Sequence, residues 1–177
     1  KNQYRYFADS MNEQVSQRLQ IETQLREALE QGQLVLHFQP RVRLPRGGVY
    51  GAEALLRWQH PEHGELLPGA FLGVAEQSSL ITEIDHYVVE STMAQLARWQ
   101  RAGHGLLVSM NLSGRTINRE TFGVEIAELI ERTGVDAVGI ELEITESMDM
   151  QDCERAARQL HDLTPRGPRL RVPLDDY

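Results

Sequence analysis

Apolar residues recur along the chain with two different periods, and the change between them marks out the elements. From Ser10 to Gln31 the stripe Met11, Val15, Leu19, Leu25 and Leu29, with Glu22 set into it, follows a helical rhythm. The stripe is narrow and flanked by Gln, Glu and Arg, the pattern of a connecting or accessory helix. Gly32 supplies the residue type that commonly ends a helix. Before it, Lys1–Phe7 reads as a short extended segment. Two strand-like runs follow, Leu34–Phe38 and Val49–Trp58. The segment between them, Arg43–Gly48, is too short for a helical crossover, so the two are expected to be antiparallel neighbours.

Beyond Trp58 the periods alternate. The pattern predicts a turn at Pro61–Gly64, a short helix over Pro68–Gln77 opened by its proline, and a longer helix over Thr82–Arg101. Strand Leu106–Leu112, helix Asn118–Thr133, strand Val138–Ile144 and helix Met150–Leu163 come next. A last strand, Leu170–Leu174, runs into Asp175 and Asp176. Alternation at this spacing predicts βα units and a parallel sheet.

One regularity points to chemistry. Asn111, Glu143 and Asp175 stand 32 residues apart, and each closes an apolar strand. In α/β sheets and barrels, ligands bind at the carboxyl ends of the strands. Three oxygen-bearing side chains are therefore expected on one rim, joined by Glu53 from an earlier strand. A single Asn or Asp after a strand is more often a turn residue or helix cap; its recurrence favours a site. Along Ile140–Thr145, alternation puts Ile140, Leu142 and Ile144 on one face and Glu141, Glu143 and Thr145 on the other, with Glu146 at the mouth. Inward carboxylates are costly unless paired or metal-bound. Oxygen donors alone suit Mg²⁺ or Mn²⁺ better than zinc, and the adjacent Asp175 and Asp176 can share such ions.

Composition narrows the reading. The chain has 177 residues, 18 Lys and Arg against 26 Asp and Glu, and a net charge of −8. That length supports one substantial core but falls short of the roughly 200 residues of a complete eight-stranded α/β barrel. The acidic excess argues against a DNA or RNA polymer and against a polybasic membrane contact, while leaving room for an anionic ligand held through metal ions. Cys153 is the single cysteine, which excludes an intrachain disulfide and fits a reducing cytoplasm. No apolar run reaches the ~18 residues of a membrane span. The opening KNQYRYF lacks an initiator Met and reads as an internal point of a longer polypeptide.

Other chemistries find little support. The six histidines lack a zinc-hydrolase spacing, and Gly103-His104-Gly105 precedes a strand where a dinucleotide fingerprint would follow one. Ser109 and Ser113 lack the GxSxG setting of a hydrolase nucleophile. Trp58 and Trp99 are expected to pack within the protein.

Gly51-Ala52-Glu53-Ala54-Leu55-Leu56-Arg57-Trp58 resembles the signature of EAL domains, the cyclic di-GMP phosphodiesterases of bacterial signalling. The resemblance continues in order through Phe38-Gln39-Pro40, His60-Pro61-Glu62-His63-Gly64 and Ala75-Glu76. It extends to Val108-Ser109-Met110-Asn111-Leu112-Ser113, Glu141-Leu142-Glu143-Ile144-Thr145-Glu146-Ser147 and Leu174-Asp175-Asp176-Tyr177. Tyr177 stands where the family usually has Phe, and Pro173 falls inside an expected strand. Lys1–Phe7 resembles the tail of a GGDEF domain. The implied organisation is a GGDEF tail over 1–9, a linker helix over 10–33 and an EAL domain over 34–177, incomplete at its C-terminus.

The family implies a TIM-like (β/α) barrel with one antiparallel strand, present here for about its first two-thirds. It implies hydrolysis of cyclic di-GMP to linear pGpG with two Mg²⁺ or Mn²⁺ ions. By resemblance, Glu53, Asn111, Glu143 and Asp175 hold one ion, and Asp175 bridges to a second with help from Asp176. Arg57 contacts a ligand phosphate, Gln39 and Leu55 contact the ligand, and Glu146 orients the site. Glu53 read instead as an ion-pair partner of Arg57 is the plainer alternative. The family's later strands carry a catalytic lysine and further glutamates, so residues 1–177 alone are expected to be inactive. The competing function is an EAL domain that binds cyclic di-GMP or a protein without hydrolysis. Expected partners are cyclic di-GMP, a GGDEF domain in cis and a second copy in a homodimer. The expected setting is the cytoplasm, including the cytoplasmic part of a membrane-anchored sensor.

Overall fold

The computed structural model describes residues 3–45, 47–144, 158 and 168–171. Helix α1 spans Gln3–Glu30, so the extended segment expected before Ser10 is helical from Gln3 onward. Tyr4, Tyr6 and Phe7 suit a strand by composition, but a helix already nucleated downstream gains a hydrogen bond for each residue added. Its end follows the Schellman pattern. Gly32 takes φ +67°, and the Gln33 N–H reaches the Ala28 carbonyl at 2.9 Å.

Strands β1 (Leu34–Arg43) and β2 (Gly48–His60) are neighbours in a six-stranded sheet. Their short connection allows only an antiparallel hairpin, as expected. A strand absent from the sequence reading, β3 (Gly64–Leu66), pairs antiparallel with β2 after the turn at Pro61. Three residues are too few to carry a visible alternation. A 3₁₀ turn at Pro68–Ala70 precedes α2 (Leu72–Glu76), so the single helix expected over Pro68–Gln77 is broken at Phe71. Helix α3 (Leu80–Arg101), strand β4 (Leu107–Leu112), the short α4 (Gly114–Ile117) and α5 (Phe122–Thr133) follow. The helix expected over Asn118–Thr133 starts at Phe122, and α4 is an additional short helix ahead of it, capped by Ser113, whose side chain accepts from the Thr116 N–H. A 3₁₀ turn at Ala137–Gly139 leads into β5 (Ile140–Ile144), and β6 covers Arg169–Arg171. Sheet order is β1-β2-β4-β5-β6, with β2 parallel to β4, β4 to β5 and β5 to β6. Of the helix expected over Met150–Leu163, Arg158 is described and is helical. Cys153, Pro173 and Tyr177 lie outside the described residues.

The chain forms two compact units. The first comprises residues 1–35 and 57–81. Here Trp58, 2 % exposed, meets Phe71 edge-on at 5.6 Å, and Leu25, Ala28, Leu34, Ala75, Leu80 and Ile81 are buried with them. The Trp58 indole N–H donates to Gln33 Oε1 at 3.2 Å. The expectation that Trp58 packs internally therefore holds.

The second unit comprises residues 36–56 and 82–177. One sheet face is apolar and buried: Ala52, Ala54, Leu56, Val108, Met110, Leu112, Ile140, Leu142 and Ile144. Helix residues Val88, Met93, Leu96, Ile126 and Leu129 are buried in the same unit. Because side chains alternate, every polar residue of interest on these strands faces the other way. Gly51 permits this layout. A Cβ there would lie 2.3 Å from the carbonyl oxygen of Leu107, its register partner on β4. Gly51→Ala should therefore force β2 and β4 apart and cost about 3 kcal/mol, measured by chemical denaturation. A midpoint equal to that of the wild type would refute the close approach.

Candidate functional site

The non-core face of the second unit carries two polar register rows. Glu53 on β2 stands opposite Ser109 on β4, which stands opposite Glu141 on β5. One step on, Asn111 stands opposite Glu143. The equal spacing in sequence thus becomes true adjacency for Asn111 and Glu143. Arg171 stands opposite Glu143, so Asp175 falls four residues farther along and lies outside the described residues, as do Asp176 and Glu146.

Side-chain contacts tie these rows together. The Asn111 amide donates from Nδ2 to Glu53 Oε1 at 3.1 Å. Arg41, on β1, reaches into the same cluster. Its Nη2 lies 2.8 Å from Glu143 Oε1 and 3.6 Å from Glu53 Oε2, and its Nη1 lies 3.1 Å from Glu141 Oε1. The side chains of Arg41, Glu53, Glu141 and Glu143 are 12–28 % exposed, sheltered enough for these pairs to feel less than full water screening. Burial is the largest single influence on Arg41 and works against its charge. The hydrogen bond and charge of Glu143, the hydrogen bond to Glu141 and the charge of Glu53 together outweigh it, so its pKa lies above the ordinary arginine value.

The ion-pair partner of Glu53 is therefore Arg41. It stands in place of the alternative pairing with Arg57, whose Nε lies 3.8 Å from Glu65 on β3. Gln59 also donates to Glu65, at 2.8 Å. The β2–β3 hairpin thus braces Arg57, a role for Glu65 that the sequence reading missed. Gln39 is exposed on β1, two residues from Arg41 and hence on the same strand face. Leu55 is half-buried, two residues from Glu53 on β2. Arg41 itself was also missed. Its position two residues beyond Gln39 was the available signal.

Among the described residues, no group of three or more His, Cys, Asp or Glu side chains is arranged to hold a metal. The donor chemistry nevertheless fits a hard divalent cation. Glu53 and Glu143 both turn an oxygen to one positive nitrogen, and the bond from Asn111 Nδ2 to Glu53 orients the Asn111 amide beside them. Ser109 Oγ is fully buried in the same row and without a hydrogen-bond partner. Among the described residues, no helix is long and apolar enough to cross a membrane.

A buried carboxylate stands behind the exit of β4. Asp85 on α3, 4 % exposed, accepts at Oδ2 from the Ser113 N–H (3.0 Å), the Ser113 hydroxyl (2.6 Å) and the Thr116 hydroxyl (2.6 Å). Ser113 lies two residues past Asn111, so this clamp holds the chain where the site's β4 residue is presented.

Comparison with known proteins identifies the family and the fold. The family model for the EAL domain matches residues 22–172. The bifunctional diguanylate cyclase/cyclic di-GMP phosphodiesterase MucR of Pseudomonas aeruginosa is 36 % identical over the whole chain. The cyclic di-GMP phosphodiesterase PdeR of Escherichia coli is 34 % identical over the whole chain. The chain spans 26 % of the length of each. Among solved structures, the MucR phosphodiesterase in complex with c-di-GMP aligns with TM-score 0.79 at 36 % identity, covering 86 % of this chain and 62 % of that one. The Xanthomonas citri FimX EAL domain in complex with c-diGMP aligns with TM-score 0.75 at 27 % identity, covering 90 % and 62 %. The α/β architecture is that of these TIM-like domains, and the mixed sheet with its leading hairpin accords with them. A chain with this sheet, this row of strand-borne oxygens and a family match over residues 22–172 belongs to the EAL domain family.

Proposed function

We propose that the protein is a metal-dependent phosphodiesterase that hydrolyses cyclic di-GMP to linear pGpG. The observation that carries the reading is the convergence of Glu53, Asn111 and Glu143 from three neighbouring strands onto one sheet face. It is supported by 36 % identity to MucR, whose phosphodiesterase was solved with c-di-GMP. Glu53, Asn111, Glu143 and Asp175 are proposed to hold one Mg²⁺ or Mn²⁺, with Asp175 and Asp176 holding a second. Such ions, when bound, supply a water nucleophile at neutral pH and neutralise charge on the phosphate. Arg57 is proposed to grip a phosphate oxygen through its planar fork of donors, held by Glu65 from the hairpin. Gln39 and Leu55 are proposed to line the ligand, and Glu146 to orient the site. Water adds across one P–O bond, leaving a terminal phosphate and a free hydroxyl on the opened dinucleotide.

We further read residues 34–177 as the EAL domain and residues 10–33 as a linker to a GGDEF domain in cis ending near residue 9. The continuity of α1 across that boundary suits a rigid connection. The setting proposed is cytoplasmic. The test is to incubate cyclic di-GMP and Mn²⁺ with the polypeptide extended to the full length of the matched phosphodiesterase domain. Linear dinucleotide, followed by chromatography, should accumulate with metal and vanish with EDTA. Retained binding without product would replace this reading with that of a receptor.

A further inference from the structure

We propose that Ser109 is a positioning residue of the metal site: its hydroxyl donates to the carboxylate of Glu53 when a divalent ion is bound, and so fixes that carboxylate as a ligand. The inference rests on the metal reading above and adds to it a side chain that touches the ligand rather than the ion.

Three observations carry it. The first is placement. Ser109 stands between Glu53 on β2 and Glu141 on β5 in one register row, and two residues before Asn111 on the same strand face. Neighbouring strands lie about 4.8 Å apart, so a side-chain rotation brings a carboxylate of this row to the hydroxyl. The second is an unmet bond. Ser109 is 0 % exposed, and among the described residues its Oγ has no hydrogen-bond partner. A buried hydroxyl costs stability while it stays unpaired, and its register neighbours are carboxylates, which only accept when ionised. The third decides between the two acceptors. Glu141 is tied to Arg41 Nη1 at 3.1 Å and has Arg169 as its register partner on β6. Glu53 is held more loosely, by Asn111 Nδ2 at 3.1 Å and by Arg41 Nη2 at 3.6 Å. A carboxylate offers about four lone-pair sites, so Glu53 keeps room for another donor. An ion ligated by Glu53 and by the Asn111 oxygen would turn these two side chains, because Asn111 offers Glu53 its Nδ2. The Ser109 hydroxyl is placed to replace that bond, and hydrogen bonds behind a ligating carboxylate orient it toward its metal.

The test is Ser109→Ala in the polypeptide extended to the full length of the matched phosphodiesterase domain. Calorimetric titration gives its Mn²⁺ affinity, and thermal midpoints are read in EDTA and at one fixed Mn²⁺ concentration. In EDTA the variant should melt at or above the wild-type temperature, since it loses a buried donor that has no partner. Its Mn²⁺ affinity should fall by about tenfold, the effect of losing a hydrogen bond behind a metal ligand. The same Mn²⁺ concentration should accordingly raise its midpoint by less than it raises that of the wild type. These two readings move in opposite directions, which a purely structural role for the hydroxyl would not produce. Unchanged Mn²⁺ affinity overturns the proposal alone. So does a midpoint in EDTA below that of the wild type, which would mean that the hydroxyl is paired without the ion. Failure of Mn²⁺ to bind the wild type overturns it together with the metal reading.

Discussion

Glu53→Gln, in the polypeptide extended to the full length of the matched phosphodiesterase domain, is expected to reduce the proposed hydrolysis of cyclic di-GMP on the order of a thousandfold or more, with the fold intact. The substitution removes a negative charge and one of the oxygens that a hard cation needs, but little volume. The amide oxygen of Gln can still accept from Asn111 Nδ2, which now bonds Glu53 Oε1 at 3.1 Å. Arg41 loses its longest pair, 3.6 Å, and keeps those at 2.8 and 3.1 Å with Glu143 and Glu141. Stability should therefore change by about 1 kcal/mol or less, because an unequal, half-sheltered ion pair contributes little. Chromatographic turnover at saturating Mn²⁺, beside a denaturation midpoint, reads both effects. Wild-type turnover at saturating metal would remove Glu53 from the metal set.

Asp85→Ala is the change expected to cost most stability near the site. Asp85 is buried on α3, and one of its oxygens collects two hydroxyls and one backbone N–H from Ser113 and Thr116. The Ser113 hydroxyl in turn caps α4 by accepting from the Thr116 N–H at 3.2 Å. Alanine would strand these donors in a buried space, each worth about 1–3 kcal/mol when left unsatisfied. Water entering the vacated volume offsets part of that, so a loss of about 3–5 kcal/mol in urea unfolding is expected. The second consequence is functional. With the β4 exit loosened, Asn111 should be presented less firmly and Mn²⁺ bound more weakly, by about tenfold. Asp85→Asn, which keeps one acceptor in place, should recover part of both. Unchanged stability in Asp85→Ala would mean that the network is not the clamp described.

How far this arrangement could be read from the chain differs residue by residue. The alternation of Ile140, Glu141, Leu142, Glu143 and Ile144 was legible because a strand has a period of two, and the structure buries the apolar members at 0–1 % exposure. The 32-residue interval was legible as a repeat of βα units, and it correctly paired Asn111 with Glu143. Asp175, the third member of that interval, lies outside the described residues. The start of α1 misled because aromatic residues suit both helix and strand. The three-residue β3 escaped because a pattern needs more positions than it has.

What the sequence determined by itself, then, is local and chemical: which segments alternate, which strand ends carry oxygens, and which motifs place the chain among EAL domains. Periodicity and residue type hold that information without any knowledge of distant neighbours. The tertiary structure alone decided where the compensating charge lies. Arg41 meets Glu141 and Glu143 across separations of 100 and 102 residues, and its one local signal, the place two residues beyond Gln39, names neither partner. A single Coulombic contact over such a distance is chosen by sheet order and register. The same holds for Asp85, whose helical neighbours give no sign that it would be buried against the turn beyond Asn111.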